Sequence, residues 1–293
     1  MLSKILDKAT GLVDSRFLLV AFFPVIVTLA GVTLLLSKLD SSLLSSMEKS
    51  WGAWSGSQQW LSGIAAIAAL FVLSYVVYVS ITPIVRFFEG YFGPLAWIGE
   101  LFPSFGKARG SAVRDPLLYL KYPGDNDHFP TRLGNSLRAA EVHPRNAYGL
   151  DSVLLWPHLV AQLPDTAVKS IDAARMSLDF LTVITAAASG YTVFAGVAIT
   201  LEHGGLTLWI AVVLASAIIA YVAYCGAVAA ARDYGDQVRT AFDQNRFALL
   251  TSLHLPLPNN RPEERRLWSE VNDLVRASEP PDWWLYEHPK ADS

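Results

Sequence analysis

FLTVITAAASGYTVFAGVAITL, residues 180–201, contains no Asp, Glu, Lys, Arg or His. As a helix rising about 1.5 Å per residue, it is long enough to cross the roughly 30 Å hydrocarbon core of a bilayer. Residues 17–37, 61–85 and 206–231 are three further runs of the same kind. Together they predict an all-α polytopic membrane protein with four transmembrane helices. Hydrophobic residues make up 52% of the chain and charged residues 17%. Because the charges fall almost entirely between and after the runs, a helical cytosolic domain is predicted as well. The net charge of −3 selects no class of partner.

The edges of the runs set an orientation. Lys4, Lys8 and Arg16 precede the first, Arg86 closes the second, Lys169 and Arg175 precede the third, and Arg232 and Arg239 follow the fourth. Residues 202–205 carry no Lys or Arg, and two basic residues in 38–60 are balanced by Asp40 and Glu48. The basic bias places both termini and the long middle segment on the cytoplasmic side of the membrane. The first run is too long for a signal-peptide core and has no small-x-small cleavage pattern after it, which predicts an uncleaved anchor.

Five segments follow: an interfacial helix over 1–16, a first transmembrane hairpin with an outer amphipathic loop over 17–85, a cytosolic domain over 86–164, a long hairpin extended into the cytosol over 165–255, and a C-terminal helix and tail over 256–293. Pro24 and Gly31 predict a bend in the first span, since neighbouring groups can satisfy a freed carbonyl. Leu39, Leu43, Leu44, Met47, Trp51 and Trp54 recur at three- and four-residue spacing, which predicts a short amphipathic helix, with Trp51, Trp54 and Trp60 as an interfacial aromatic belt. An aromatic stretch from Phe87 to Phe105 is broken by Gly90, Gly93, Pro94 and Pro103 and reads as interfacial. Pro123-Gly124 signals a turn. Thr131 is positioned to cap a helix that Pro144 ends, and Gly149 followed by Asp151 marks a stop and a new cap. Asp165 is placed to cap a helix that runs unbroken to Leu201. The fourth span continues past Arg232 as far as Leu255-Pro256. Arg261 to Arg276 reads as a final helix, and Trp283, Trp284 and Tyr286 in the tail predict docking onto protein.

The phosphate-binding loops, zinc-protease motif and calcium loop are all missing. His128, His143, His158, His203, His254 and His288 are scattered, and Cys225 is the single cysteine, so neither a metal site nor a cofactor is predicted. Ser189-Gly190 is similar to the serine motif of rhomboid proteases, but no run supplies their histidine. Intramembrane aspartyl proteases, pumps and proton-coupled carriers need ionisable groups inside the spans, and these are absent.

Two patterns point to function. Thr182, Thr185, Ser189, Thr192 and Gly196 form one small, mostly hydroxylated stripe along the third span. Such a stripe either packs helix on helix or lines an uncharged pore. Lys107, Arg109, Arg114, Lys121, Arg132, Arg138 and Arg145 outnumber the acids over 107–145. They suit lipid headgroups or a nucleotide or oligonucleotide whose bases stack on interleaved aromatics such as Tyr119, Tyr122, Phe129 and Tyr148.

TRLGNSLRAAE at 131–141, followed by YGLDSVLLWP at 148–157, resembles a pattern in uncharacterised bacterial four-span inner-membrane proteins. YGDQVRTAFD at 234–243, then Arg246-Phe247, resembles the segment after their last span. The resemblance implies a bacterial inner-membrane setting and transfers no catalytic residue. The layout also resembles membrane-channel effectors of anti-phage defence of the Hailong type. That resemblance implies a homo-oligomer, with a tetramer favoured, that permeabilises the membrane on a nucleotide or oligonucleotide signal from a partner enzyme. The expected function is thus a non-enzymatic channel or pore-type effector embedded in the lipid bilayer. A non-conducting scaffold that recruits a cytosolic partner stands beside it, and so does a lipid-modifying enzyme using His128, Glu141 and His143.

Overall fold

The computed structural model describes residues 15–91 and 129–276. The interfacial helix expected before residue 15, the aromatic stretch beyond Tyr91, the Pro123-Gly124 turn and the tryptophan-rich tail lie outside the described residues. The described residues are all-α with no strand, and four helices are long and apolar enough to cross a membrane. The chain divides into two compact units, residues 1–86 with 176–227 and residues 87–175 with 228–293.

In the first unit, α1 runs from Ser15 to Leu39. Its Leu18–Phe22 segment is π-helical, directly ahead of Pro24 at the start of the following α-helical stretch. Pro24 lacks the N–H that would continue the ladder, and a π turn is one way a helix absorbs that loss. Asp40 then caps α2, Ser41–Ala53, by accepting from the Ser42 N–H at 2.8 Å. The amphipathic helix read from the spacing is therefore present. Trp51 and Trp54 lie on it and beside it, with rings 5.8 Å apart and both exposed.

A capping box between Ser55 and Gln58 starts α3, Gly56–Val79. The second run does not continue to residue 85 as one helix. It ends at Ser80, and α4, Ile81–Glu89, begins anew. Pro83 explains the break, because it has no N–H to give to the Val79 carbonyl. Phe17 and Phe22 of α1 stack against Phe71 and Tyr78 of α3, with Phe22 and Phe71 centroids 5.1 Å apart. Only 6% of the most apolar stretch of α3 is buried.

The second unit holds α5, Arg132–Tyr148, and α6, Ser152–Val160. Thr131 caps α5 as expected, but Pro144 does not end it. The helix continues to Tyr148 and stops at Gly149, whose φ of 82° is the left-handed conformation glycine adopts freely. Loss of one backbone donor at Pro144 is outweighed by burial of Leu137, Ala140 and Pro144 itself along one face. Asp151 caps α6 by accepting from the Leu154 N–H.

Two long helices follow: α7, Asp165–Leu201, and α8, Leu206–Ser252. Each contributes residues to both units. The unbroken α7 matches its reading, although Asp165 is its first helical residue. The Pro164 carbonyl accepts from Ala167 and Val168 N–H groups and fills the capping position instead. α8 stops three residues short of Leu255, where His254 takes a φ of 58°. α9, Arg261–Val275, is capped by Asn260. The core of the second unit gathers Leu155, Leu159, Phe242, Leu250, Trp268 and Val271, all fully buried.

Candidate functional site

The hydroxyl stripe lies in the first unit. Thr182 and Thr185 are buried, and each donates its hydroxyl at 2.7 Å to a carbonyl one turn back, Leu178 and Leu181 respectively. Thr192 donates to Ala188 O at 2.7 Å and meets the Ser216 hydroxyl of α8 at 2.9 Å. At Gly196 the carbonyl accepts the Trp209 indole N–H of α8 at 3.2 Å. A Cβ at Gly196 would sit 3.7 Å from Val213, so this part of the stripe faces α8 at ordinary contact distance. The stripe therefore joins α7 to α8 within one protomer at Thr192 and Gly196. Ser189 is half-buried.

A charged pair sits below the stripe. The Arg16 guanidinium donates to Asp179 Oδ2 at 2.5 Å, and the Asp179 side chain is fully buried. Arg16 and Asp179 are the last charges before the first and third charge-free runs. The pair ties α1 to α7, and that adjacency to the run edges was its sequence signal.

Of the seven basic residues proposed for an anion, Lys107, Arg109, Arg114 and Lys121 lie outside the described residues. Arg132, Arg138 and Arg145 are on α5. At 1.5 Å rise they stand about 9–10 Å apart along the axis, with Arg132 about a third of a turn away from the other two. The three are thus strung along α5 without converging on one point. Arg138 pairs with Glu141 at 3.1 Å, and Arg145 is exposed.

The structure instead brings together the stretches that carry the family resemblance. Thr131 donates its hydroxyl to Glu89 O at 2.9 Å and accepts from the Gly134 N–H at 3.0 Å. Asn135 is fully buried and clamps the Phe129 backbone, accepting from its N–H at 2.8 Å and donating to its carbonyl at 2.9 Å. Asn272 of α9 donates to Gly149 O and accepts from the Asp151 N–H. Arg265 donates to Asn146 O at 2.5 Å, and Arg261 donates to Ala147 O at 3.4 Å. Cations from α9 thus sit at the negative C-terminal end of α5. Where α5 passes α8, a Cβ on Gly235 would lie 3.1 Å from Ala140 Cβ.

Asp243 is the meeting point of these stretches. Its Oδ1 accepts from the Tyr148 hydroxyl at 2.8 Å and lies 3.0 Å from His143 Nε2, which carries the proton because a carboxylate only accepts. Arg246 stacks over Tyr148 at 4.2 Å, and its Nε donates to Glu264 at 2.8 Å. Helices α5, α8 and α9 are cross-linked there by these side-chain contacts. A cavity of about 210 Å³ in this unit is lined by Glu89, Glu141, Trp156, Arg175 and Tyr234 among others, and does not reach His143 or Tyr148.

Burial, and then the hydrogen bond to Asp243, raise the Tyr148 pKa above its ordinary value. The unfolded chain therefore ionises this tyrosine first, near pH 10. Its contribution to stability is complete below about pH 10 and is lost as the pH rises toward the folded-state value. Alkaline unfolding of wild type and Tyr148→Phe checks this. Wild type is expected to lose stability relative to the variant above about pH 10, and parallel curves would refute it.

The fold and these contacts define an all-α, multi-pass membrane protein with a second, helical unit stitched together by polar side chains. Compared with known proteins, the chain matches no family model, no curated protein and no solved structure.

Proposed function

We propose that this chain is a multi-pass scaffold of a bacterial inner membrane, with cytoplasmic termini, that assembles as a homo-oligomer and recruits a partner through its helical unit. The observation supporting this reading is the fate of the hydroxyl stripe. A pore wall needs hydroxyls turned toward water, whereas those of Thr182, Thr185 and Thr192 are donated to their own helix, and Thr192 also meets Ser216 of α8. Small and hydroxylated residues at this spacing are what close helix packing in a membrane uses.

Ion flux from liposomes carrying the purified full chain is the test. The expected result is no flux above that of protein-free vesicles, with or without nucleotide. Thr192→Leu is expected to lower thermal stability in detergent by about 1 kcal/mol, the scale of one interhelical hydrogen bond in a membrane. A steady conductance that Thr192→Leu abolishes while assembly persists would overturn the scaffold.

A second reading has its own support. An oligomeric channel-type effector in bacterial defence, gated by a cytosolic nucleotide or oligonucleotide made by a partner enzyme, would draw on spans free of charge. The mostly exposed apolar surface of α3 would supply its contact with further copies. Nucleotide-dependent current in the same liposomes is the outcome that belongs to this reading alone.

A further inference from the structure

Within the first unit, α1, α7 and α8 border a partly open cavity of about 440 Å³. Its walls come from the middle of three charge-free runs: residues 24–31, 184–191 and 211–219. Small side chains shape it, with Gly31 on α1, Ala187 and Ala188 on α7, and Ala211 and Ala215 on α8.

Three hydroxyls border the space, and each has already donated its proton inside the protein. Thr28 donates to Pro24 O at 2.7 Å, Tyr191 to Gly31 O at 3.2 Å and Ser216 to Val212 O at 2.8 Å. A polar ligand finds no free hydroxyl donor there, and the rest of the lining is almost wholly apolar. An empty cavity forfeits dispersion contacts along its whole lining, so the medium at that depth will fill it.

Size decides between the two apolar candidates. A helix is about 10 Å across with a 5.4 Å pitch, so this volume would take about one turn of a span from another copy. A hydrocarbon chain is far thinner and can lie along the slot. We propose that this cavity holds one acyl chain of a bilayer phospholipid, intercalated between α1 and the α7–α8 hairpin. Because lipid tails are as apolar as the lining, the chain is held by fit and exchanges with the bilayer.

The test uses the full chain in vesicles of phosphatidylethanolamine and phosphatidylglycerol. The probe is a phosphatidylglycerol bearing a diazirine midway along one acyl chain, and adducts are mapped by peptide mass spectrometry. Adducts are expected to be several-fold denser on residues 184–191 and 211–219 than on lipid-exposed α3. In Ala211→Leu/Ala215→Leu, which adds bulk at two exposed positions lining the cavity, the lining adducts should fall several-fold while those on α3 stay constant. Ala187→Leu fills the same space from the other wall and serves if the double variant fails to insert. Lining adducts no denser than those on α3, or unchanged in the filled variants, would overturn the proposal. A disulfide dimer formed through Ala187→Cys in a Cys225→Ser background would also overturn it, by seating a second copy in the cavity.

Discussion

Replacing Gly134 by alanine will destabilise the helical unit by about 3 kcal/mol, the upper end for forcing a methyl group into a packed core. Gly134 is buried in the first turn of α5. A Cβ there would collide with the Glu89 carbonyl oxygen and approach Phe129 Cβ to 2.9 Å. Neither neighbour is free to retreat. Glu89 O is held by the Thr131 hydroxyl, and the Phe129 backbone is held at both its N–H and its carbonyl by Asn135. Intrinsic propensity argues the other way, since alanine is about 1 kcal/mol better than glycine inside a helix, so the sign of the result reports the packing. Gly190 of α7 is the control. It is exposed, and a Cβ there meets nothing within 4 Å. Gly190→Ala is therefore expected to be neutral or slightly stabilising. Thermal and denaturant unfolding of both variants in detergent measures the difference, and a Gly134→Ala protein as stable as wild type would refute the packing described for α5.

What the sequence made legible was mostly local. A run without charge has one stable solution in a bilayer, so the four spans could be read from composition alone. Caps were also legible. Thr131 and Asp151 each accept from an N–H three residues on, a contact that needs no partner from elsewhere in the chain. Gly149 was recognisable because the left-handed turn that ends α5 suits glycine. Prolines misled in both directions. Pro144 sits inside a helix whose buried face outweighs one missing donor, while Pro83 splits a run that its hydropathy had joined. A proline rule weighs only the backbone, and tertiary burial settles whether the helix survives.

The candidate sites were harder for a related reason. Spacing put Thr182, Thr185, Ser189, Thr192 and Gly196 on one face, but spacing does not say which way a hydroxyl turns. In a helix, threonine and serine can bond back to the carbonyl one turn earlier, and three residues of this stripe do so. The stretches that carry the resemblance, 131–157 and 234–247, read as separate in the sequence. Tyr148 and Asp243 are 95 positions apart, and no local periodicity joins them. Once joined, many of the residues in those stretches have evident folding tasks, such as capping, clamping a backbone or cross-linking helices.

Arg16→Met will cost more than Asp179→Asn, although the two substitutions break the same pair. Asp179 is fully buried on α7, whereas Arg16 is 36% exposed on α1. Methionine at 16 takes the guanidinium away from a fully buried carboxylate, and removing one partner of a buried pair costs about 3 kcal/mol. Asparagine at 179 keeps an oxygen that can accept from the guanidinium, and Arg16 retains solvent or headgroup contact for its charge, so about 1 kcal/mol is expected, the worth of weakening one hydrogen bond. The double variant Arg16→Met/Asp179→Asn is expected to recover most of the loss seen for Arg16→Met, because the buried negative charge that Arg16 faced has gone. That non-additivity is the signature of direct coupling between two residues 163 positions apart. Unfolding of the four proteins in detergent closes the cycle. Equal costs for the two single variants, or simple additivity in the double, would mean that the packing of α1 against α7 owes nothing to the charge at their shared edge.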